Sequence, residues 1–224
     1  MARAQREILV EATTPDGEPL TLTAEDGEHV VRVRGQTLMS SRCSGSEQVM
    51  ATLACAQGVP MDNARILVGG LGLGFTLRAV LDQAGTTTRI TVVELLALVV
   101  DWNRGPLGSC AGRPLDDPRV SVHVGDLLDY LAVGGHGFDA ILLDIDNGPE
   151  AFTVRSNERL YHPPGLALLR RALRAGGVLV VWSAFRSRAF EQRLRQAGFE
   201  ARSVTTRARA AVGKGRRHTL FVAY

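Results

Sequence analysis

Residues 66–75 read ILVGGLGLGF, an apolar run that breaks into glycine at 69, 70, 72 and 74 and then resumes as the amphipathic FTLRAVLDQAG. The pattern is a buried strand, a tight turn and a helix. Glycine lets the backbone turn sharply and lets a ligand approach its peptide units. The helix N-terminus behind it presents unpaired N–H groups and a local positive potential. Gly70, Gly72 and Gly74 therefore read as a nucleotide-type cofactor site. A dinucleotide loop needs a third glycine where Phe75 stands, and no Gly-Lys-Ser/Thr follows as a phosphate loop requires. The spacing suits a nucleoside whose methionine-like tail lies over the glycines.

Outward from this stretch the chain alternates strand and helix. TRITVVE, RVSVHVG, FDAILLD, VLVVWSA, FEARSVTTRA and RHTLFVAY read as further strands, and LLALVVDWNRG, DLLDYLAVGG, GLALLRRALRAGG and SRAFEQRLRQAG as helices between them. The result is an α/β fold, a doubly wound seven-stranded Rossmann-like sheet closed by a β-hairpin. Ahead of strand ARILVGG, SEQVMATLACAQG reads as a helix. Residues 6–34 hold REILVEA, LTLTA and HVVRVRG, β-rich segments parted by TPDGEP and EDGE turns. The domains are accordingly a small N-terminal β-hairpin unit, 1–40, and the α/β domain, 41–224. The Gly/Pro-rich stretch 103–118 is long for a connection in this fold and reads as a lid or a packed loop.

Ligands of such sheets bind beyond the carboxyl ends of the strands, and acids stand there. Glu94 closes TRITVVE, where a carboxylate can accept both hydroxyls of a ribose, or cap the next helix. Asp126 precedes LLDYL; it can cap that helix, accept an adenine amino hydrogen, or do both, with Leu127 and Leu128 beside the base. ILLDIDNGPE, 141–150, delivers Asp144 and then Asp146 and Asn147 to the same edge, unless DIDNGP is only a turn that closes the strand. His123 and His218 read as satisfied strand histidines. No histidine or cysteine has a partner at metal spacing, so no metal is expected.

The order of these features resembles the spermidine synthase family, within the S-adenosylmethionine-dependent methyltransferase folds, over roughly residues 35–205. By that resemblance GGLGLG, 69–74, is the glycine loop, Glu94 the ribose acid and Gly125-Asp126 the adenine-side pair. The family's Asp-Ser-Ser-Asp-Pro falls on DIDN, 144–147, and its Phe-Tyr on Leu160 and Tyr161. Asp144 then orients and deprotonates the nucleophile, Asn147 holds a substrate carbonyl or amide, and Tyr161 and Trp182 line the pocket. Three departures stand out. Gly72 replaces the aspartate that holds the free amine of decarboxylated S-adenosylmethionine. Asn147 replaces an anion. The family's Tyr-His-Glu falls near Met50, Ala51 and Thr52. These departures favour intact S-adenosylmethionine as cofactor and a methyltransferase acting on a small-molecule acceptor. The alternatives are aminopropyl transfer from the decarboxylated cofactor, and a non-catalytic ligand-binding scaffold. The family's habit of dimerising, and the exposed faces of the N-terminal strands, imply a homodimer.

The totals agree with an ordinary globular chain. Its 224 residues are 45% hydrophobic and 22% charged, and the net charge of +3 leaves no strong field. Lys214 is the sole lysine among 26 basic residues, without aromatic residues interleaved, so nucleic acid is not an expected partner. Cys43, Cys55 and Cys110 form neither a metal pair nor a disulfide framework. MARAQREILV lacks an apolar leader core, and ITVVELLALVV is too short for a membrane span and carries Glu94. No membrane contact and a cytoplasmic location are expected.

Overall fold

The computed structural model describes residues 6–14, 17–42, 44–59, 61–134, 136–145, 148–149, 155–209 and 214–224. The chain divides into two compact units, 1–43 and 44–224. The first is a four-stranded antiparallel sheet of β1 (Arg6–Thr13), β2 (Pro19–Glu25), β3 (Glu28–Val33) and β4 (Gln36–Ser40), in that order. Leu20 pairs with Val33 and Leu22 with Val31, so one face carries the apolar pairs. Asp26-Gly27, both at positive φ, turn β2 into β3 as a two-residue hairpin. Arg34-Gly35 repeat that geometry and turn β3 into β4. The fourth strand is an addition to the sequence reading, which placed strands only within 6–34 of the 1–40 unit. Arginine is an unusual first residue for such a turn, and it masked the hairpin.

The second unit is built on a seven-stranded mixed sheet. Its strands are β5 (Arg65–Gly69), β6 (Arg89–Glu94), β7 (Val120–Val124), β8 (Phe138–Leu143), β9 (Leu173–Ser183), β10 (Ala201–Arg209) and β11 (Lys214–Ala223), in the order β10-β11-β9-β8-β5-β6-β7. β7, β6, β5, β8 and β9 are parallel, and β11 runs antiparallel between β9 and β10. The helices are α1 (Gly45–Ala56), α2 (Phe75–Gln83), α3 (Ala97–Arg104), α4 (Leu127–Ala132), α5 (Pro163–Ala172) and α6 (Arg188–Gln196). They cover a sheet whose central strands are apolar on both faces. In β8 all six residues are buried, as a parallel strand between two helical layers must be. Its one acid, Asp139, accepts the Arg65 amide at 2.7 Å and pairs with Arg174.

Two local expectations are revised. The helix expected to run to the paired glycines 176–177 ends at Ala172, and β9 begins at Leu173, opposite Phe138. The register slips before Val178 meets Ala140, so the glycines lie in a bulge rather than at a helix end. Stretch 103–118 is packed and is no lid. It forms two 3-10 turns, Gly108–Ala111 and Pro114–Asp116, and buries Leu107, Ala111 and Pro114.

Helix α6 shows how local chemistry places the core. Ser187 caps it, its hydroxyl accepting the Phe190 amide at 3.0 Å. Phe190 and Leu194 then turn inward, and Phe190 meets Tyr161 and Phe221 edge to face at 5.6 and 5.0 Å. Phe190→Ala should destabilise the unit by about 3–5 kcal/mol, read from a urea melt. A loss under about 1 kcal/mol would mean that this aromatic cluster adds little to the core.

Candidate active site

The carboxyl ends of β5, β6, β7 and β8 lie side by side, and the site is built there. At the end of β5 the backbone must pass very close to the exit of β8. Asp144 donates its amide to the Gly69 carbonyl at 2.9 Å. A Cβ on Gly70, which sits at φ +83°, would lie 2.3 Å from the Asp144 carbonyl oxygen. One on Gly69 would press on Leu127 and Leu143 at 2.9 Å. Gly74, also at positive φ, opens α2 against Pro114 and Asn103. Gly72 is half-buried, and its carbonyl accepts the Asn103 side-chain amide at 2.8 Å. These glycines are needed for packing as well as for any ligand.

Glu94 ends β6 and is 8% exposed. Its Oε2 accepts the Leu71 amide at 2.8 Å and its Oε1 the Leu96 amide at 2.9 Å. Burial pushes its carboxyl above the ordinary range, and these amides offset part of that. Glu94 therefore ties the glycine loop to the β6 exit. Asp126 caps α4 through the Leu128 amide at 2.7 Å and pairs with Arg159 at 2.8 Å. Leu127 is 5% exposed and belongs to the core below Gly69. The donor and acceptor set fits an adenosyl group along this edge.

Asp144 follows β8 and is half-buried. Thr76, on the first turn of α2, donates its hydroxyl to Asp144 Oδ2 at 2.6 Å. Burial raises the Asp144 carboxyl and the threonine bond opposes the rise. Glu47, on the first turn of α1, faces it. Burial first, and then the Asp144 charge, push Glu47 up to about 7. Ser46 sits beneath, its hydroxyl 2.7 Å from Glu47 Oε2 and 2.9 Å from His218 Nδ1, and it accepts the Trp182 indole N–H at 3.1 Å.

Several sequence expectations move. Tyr161 is fully enclosed, and its hydroxyl reaches the Ile145 carbonyl at 3.5 Å. It supports the segment after Asp144 from within the core, with Phe190 edge-on against its ring. Trp182 is directed at Ser46 and His218. Asp146 and Asn147 lie outside the described residues. Met50 and Ala51 are core residues, and Thr52 bonds the Gln48 carbonyl. Glu47, Thr76 and Asn103 were missed. Glu47 had a signal, since it shares the helix face of Met50, Ala51 and Ala54. Among the described residues no helix is long and apolar enough to cross a membrane.

Glu47 sets a pH dependence. Its carboxyl is raised from 4.5 to about 7 on folding. The folded state thus holds a proton that the unfolded chain has lost. The stabilisation is full below pH 4.5 and disappears as pH rises to about 7. Glu47→Gln should remove that slope and gain about 1–3 kcal/mol on wild type by pH 8. Parallel slopes of urea-derived stability for the two proteins over this interval would contradict it.

Comparison with known proteins agrees with the geometry. The spermine/spermidine synthase domain family matches residues 46–198. A polyamine aminopropyltransferase of Mycobacterium tuberculosis is 38% identical over 124 residues, 54% of this chain and 23% of that protein. One from Hyperthermus butylicus is 32% identical over 119 residues, 52% of this chain and 39% of that protein. The matched stretch thus spans well under half the length of these curated relatives. The structure of spermidine synthase from Thermotoga maritima superposes with a TM-score of 0.72 at 19% identity, covering 96% of this chain and 72% of that one. A spermidine synthase in complex with the transition-state analogue AdoDATO gives 0.72 at 18% identity, covering 96% and 71%. These relatives are named for aminopropyl transfer, and they overturn the methyltransferase expectation and its intact S-adenosylmethionine cofactor. With more than half its length matched, the chain belongs to the spermine/spermidine synthase domain family.

Proposed function

We propose that the protein transfers an aminopropyl group from decarboxylated S-adenosylmethionine to a cationic amine acceptor such as a diamine. The observation that carries this reading is the pair of half-buried carboxylates, Asp144 at the end of β8 and Glu47 on the first turn of α1, near enough for the Asp144 charge to raise Glu47. Two like charges in a low-dielectric recess repel. An ammonium group placed between them turns that repulsion into attraction. Gly72 offers no anion to the amine of the aminopropyl tail, and Glu47 and Asp144 supply negative charge on the other wall.

Glu94 is the residue to hold the ribose hydroxyls, and Asp126 to accept from the adenine amino group. The acceptor nitrogen attacks the methylene carbon bound to the sulfonium. A nitrogen–carbon bond forms, the carbon–sulfur bond breaks, and its electron pair stays on sulfur as a neutral thioether. The proton lost from the attacking nitrogen passes to Asp144, whose raised carboxyl suits a general base. Thr76 fixes the orientation of that carboxylate. A homodimer is part of the proposal, supported by β1 and β4, which are the outer strands of their sheet. So is a cytoplasmic location, supported by Cys55, which is a thiol rather than a disulfide half.

The test incubates the protein with decarboxylated S-adenosylmethionine and 1,4-diaminobutane, and follows the acceptor by mass spectrometry. Expected is an acceptor heavier by one aminopropyl group together with a methylthio nucleoside. Asp144→Asn should lower kcat by roughly 10²–10⁴-fold while nucleoside affinity is kept. Binding of the nucleoside without transfer to any diamine or polyamine would reduce the protein to a binding module and overturn the proposal.

A further inference from the structure

Ser46 joins Glu47, its neighbour in sequence, to His218, which lies 172 positions from Ser46, and the fold explains the meeting. On β11, His218 and Leu220 point to the face covered by α1, and Trp182 lies opposite Leu220 on β9. The His218 ring stacks edge-on against Trp182 at 4.7 Å. The first turn of α1 comes down on this face and places Ser46, 1% exposed, between the two rings and Glu47.

A serine hydroxyl has one hydrogen to give and two lone pairs to receive. Trp182 Nε1–H can only donate, so it takes one lone pair. One donation and one acceptance remain for Glu47 Oε2 and His218 Nδ1. When Glu47 is ionised it can only accept, so Ser46 donates to it and His218 must carry its hydrogen on Nδ1. When the proton of Glu47 sits on Oε2, that group donates to Ser46. Ser46 then donates to His218, whose Nδ1 must be bare and whose hydrogen is on Nε2. We propose that Ser46 is a proton switch that couples the charge of Glu47 to the tautomer of His218, so that the proton released by the attacking amine leaves the active site through Ser46 and His218.

The role of the chain as a proton exit rests on the aminopropyl reading; the coupling itself does not. The transfer balances without a further reactant. The proton taken by Asp144 and Glu47 moves to Ser46 Oγ, the serine hydrogen moves to Nδ1 of His218, and the half-buried ring gives its Nε2 proton to water. Ser46 and His218 are positioning residues that act through Glu47. Asp144 faces Glu47 from the end of β8, and Arg216 faces His218 from its own strand. Burial and then Arg216 hold the His218 ring below its ordinary 6.5. Glu47 titrates near about 7. Between those points the ring is neutral while Glu47 changes charge.

The measurement is a pH titration of the uniformly ¹⁵N-labelled protein, without ligand, reading the tautomer of His218 from its two-bond nitrogen–proton correlations. His218 should move from the Nε2–H to the Nδ1–H form as pH rises through about 7, with no change in its own charge. Glu47→Gln and Ser46→Ala should each abolish the switch. One tautomer throughout the neutral range in wild type, or a switch that survives Glu47→Gln, would overturn the coupling. Absence of aminopropyl transfer would leave this readout untouched, so failure of the reaction and failure of the switch are told apart.

Discussion

Everything at the site depends on one steric constraint, the near-contact of the Gly70 backbone with the carbonyl of Asp144. A Cβ at Gly70 would stand 2.3 Å from that oxygen, and the adjoining Asp144 amide is bonded to Gly69. Only a residue without a side chain lets the two central strands end so close together. That closeness brings the Asp144 carboxylate beside the first turn of α2, where Thr76 holds it. It also sets the glycine loop where Glu94 can bind its amide from the neighbouring strand. The glycine loop, Glu94 and Asp144 are therefore one mechanical unit.

The second organising fact is charge. Three carboxylates, Glu47, Glu94 and Asp144, are all raised chiefly by burial. Glu94 is partly relieved by backbone amides and Asp144 by one hydroxyl. Glu47 and Asp144 face each other, and among the described residues no basic side chain pairs with either. Such a recess is electrostatically unfinished, and on the proposed reading a protonated amine completes it.

Much of this was legible in the residues. The strand–glycine–helix unit and the acids Glu94, Asp126 and Asp144 follow from local periodicity, and the structure places them on one edge. Two hairpin and helix limits were not legible. Arg34 adopts a positive φ that its identity does not announce, and the start of β9 is fixed by pairing with Phe138 across the sheet. Tyr161 could be a pocket or a core residue from sequence alone, since its contact with Phe190 comes from far along the chain. Glu47 stood on an apolar helix face, a signal that can be read, yet its partner Asp144 is contributed by a different strand. The Ser46–His218 contact has no local trace at all, since only the antiparallel return of β11 creates it. The family resemblance located the fold, while the three departures in its motifs were given too much weight against the reaction.

The central claim is that Asp144 and Glu47 form an anionic recess that shares a proton until an amine arrives. Calorimetric titration with 1,4-diaminobutane near pH 7, in buffers of different ionisation enthalpy, tests it most directly. Binding should release a proton from the pair, so the observed heat should vary with the buffer in wild type and lose that dependence in Glu47→Gln. Heats that are the same in every buffer, or a diamine that binds Glu47→Gln as tightly as wild type, would contradict the claim.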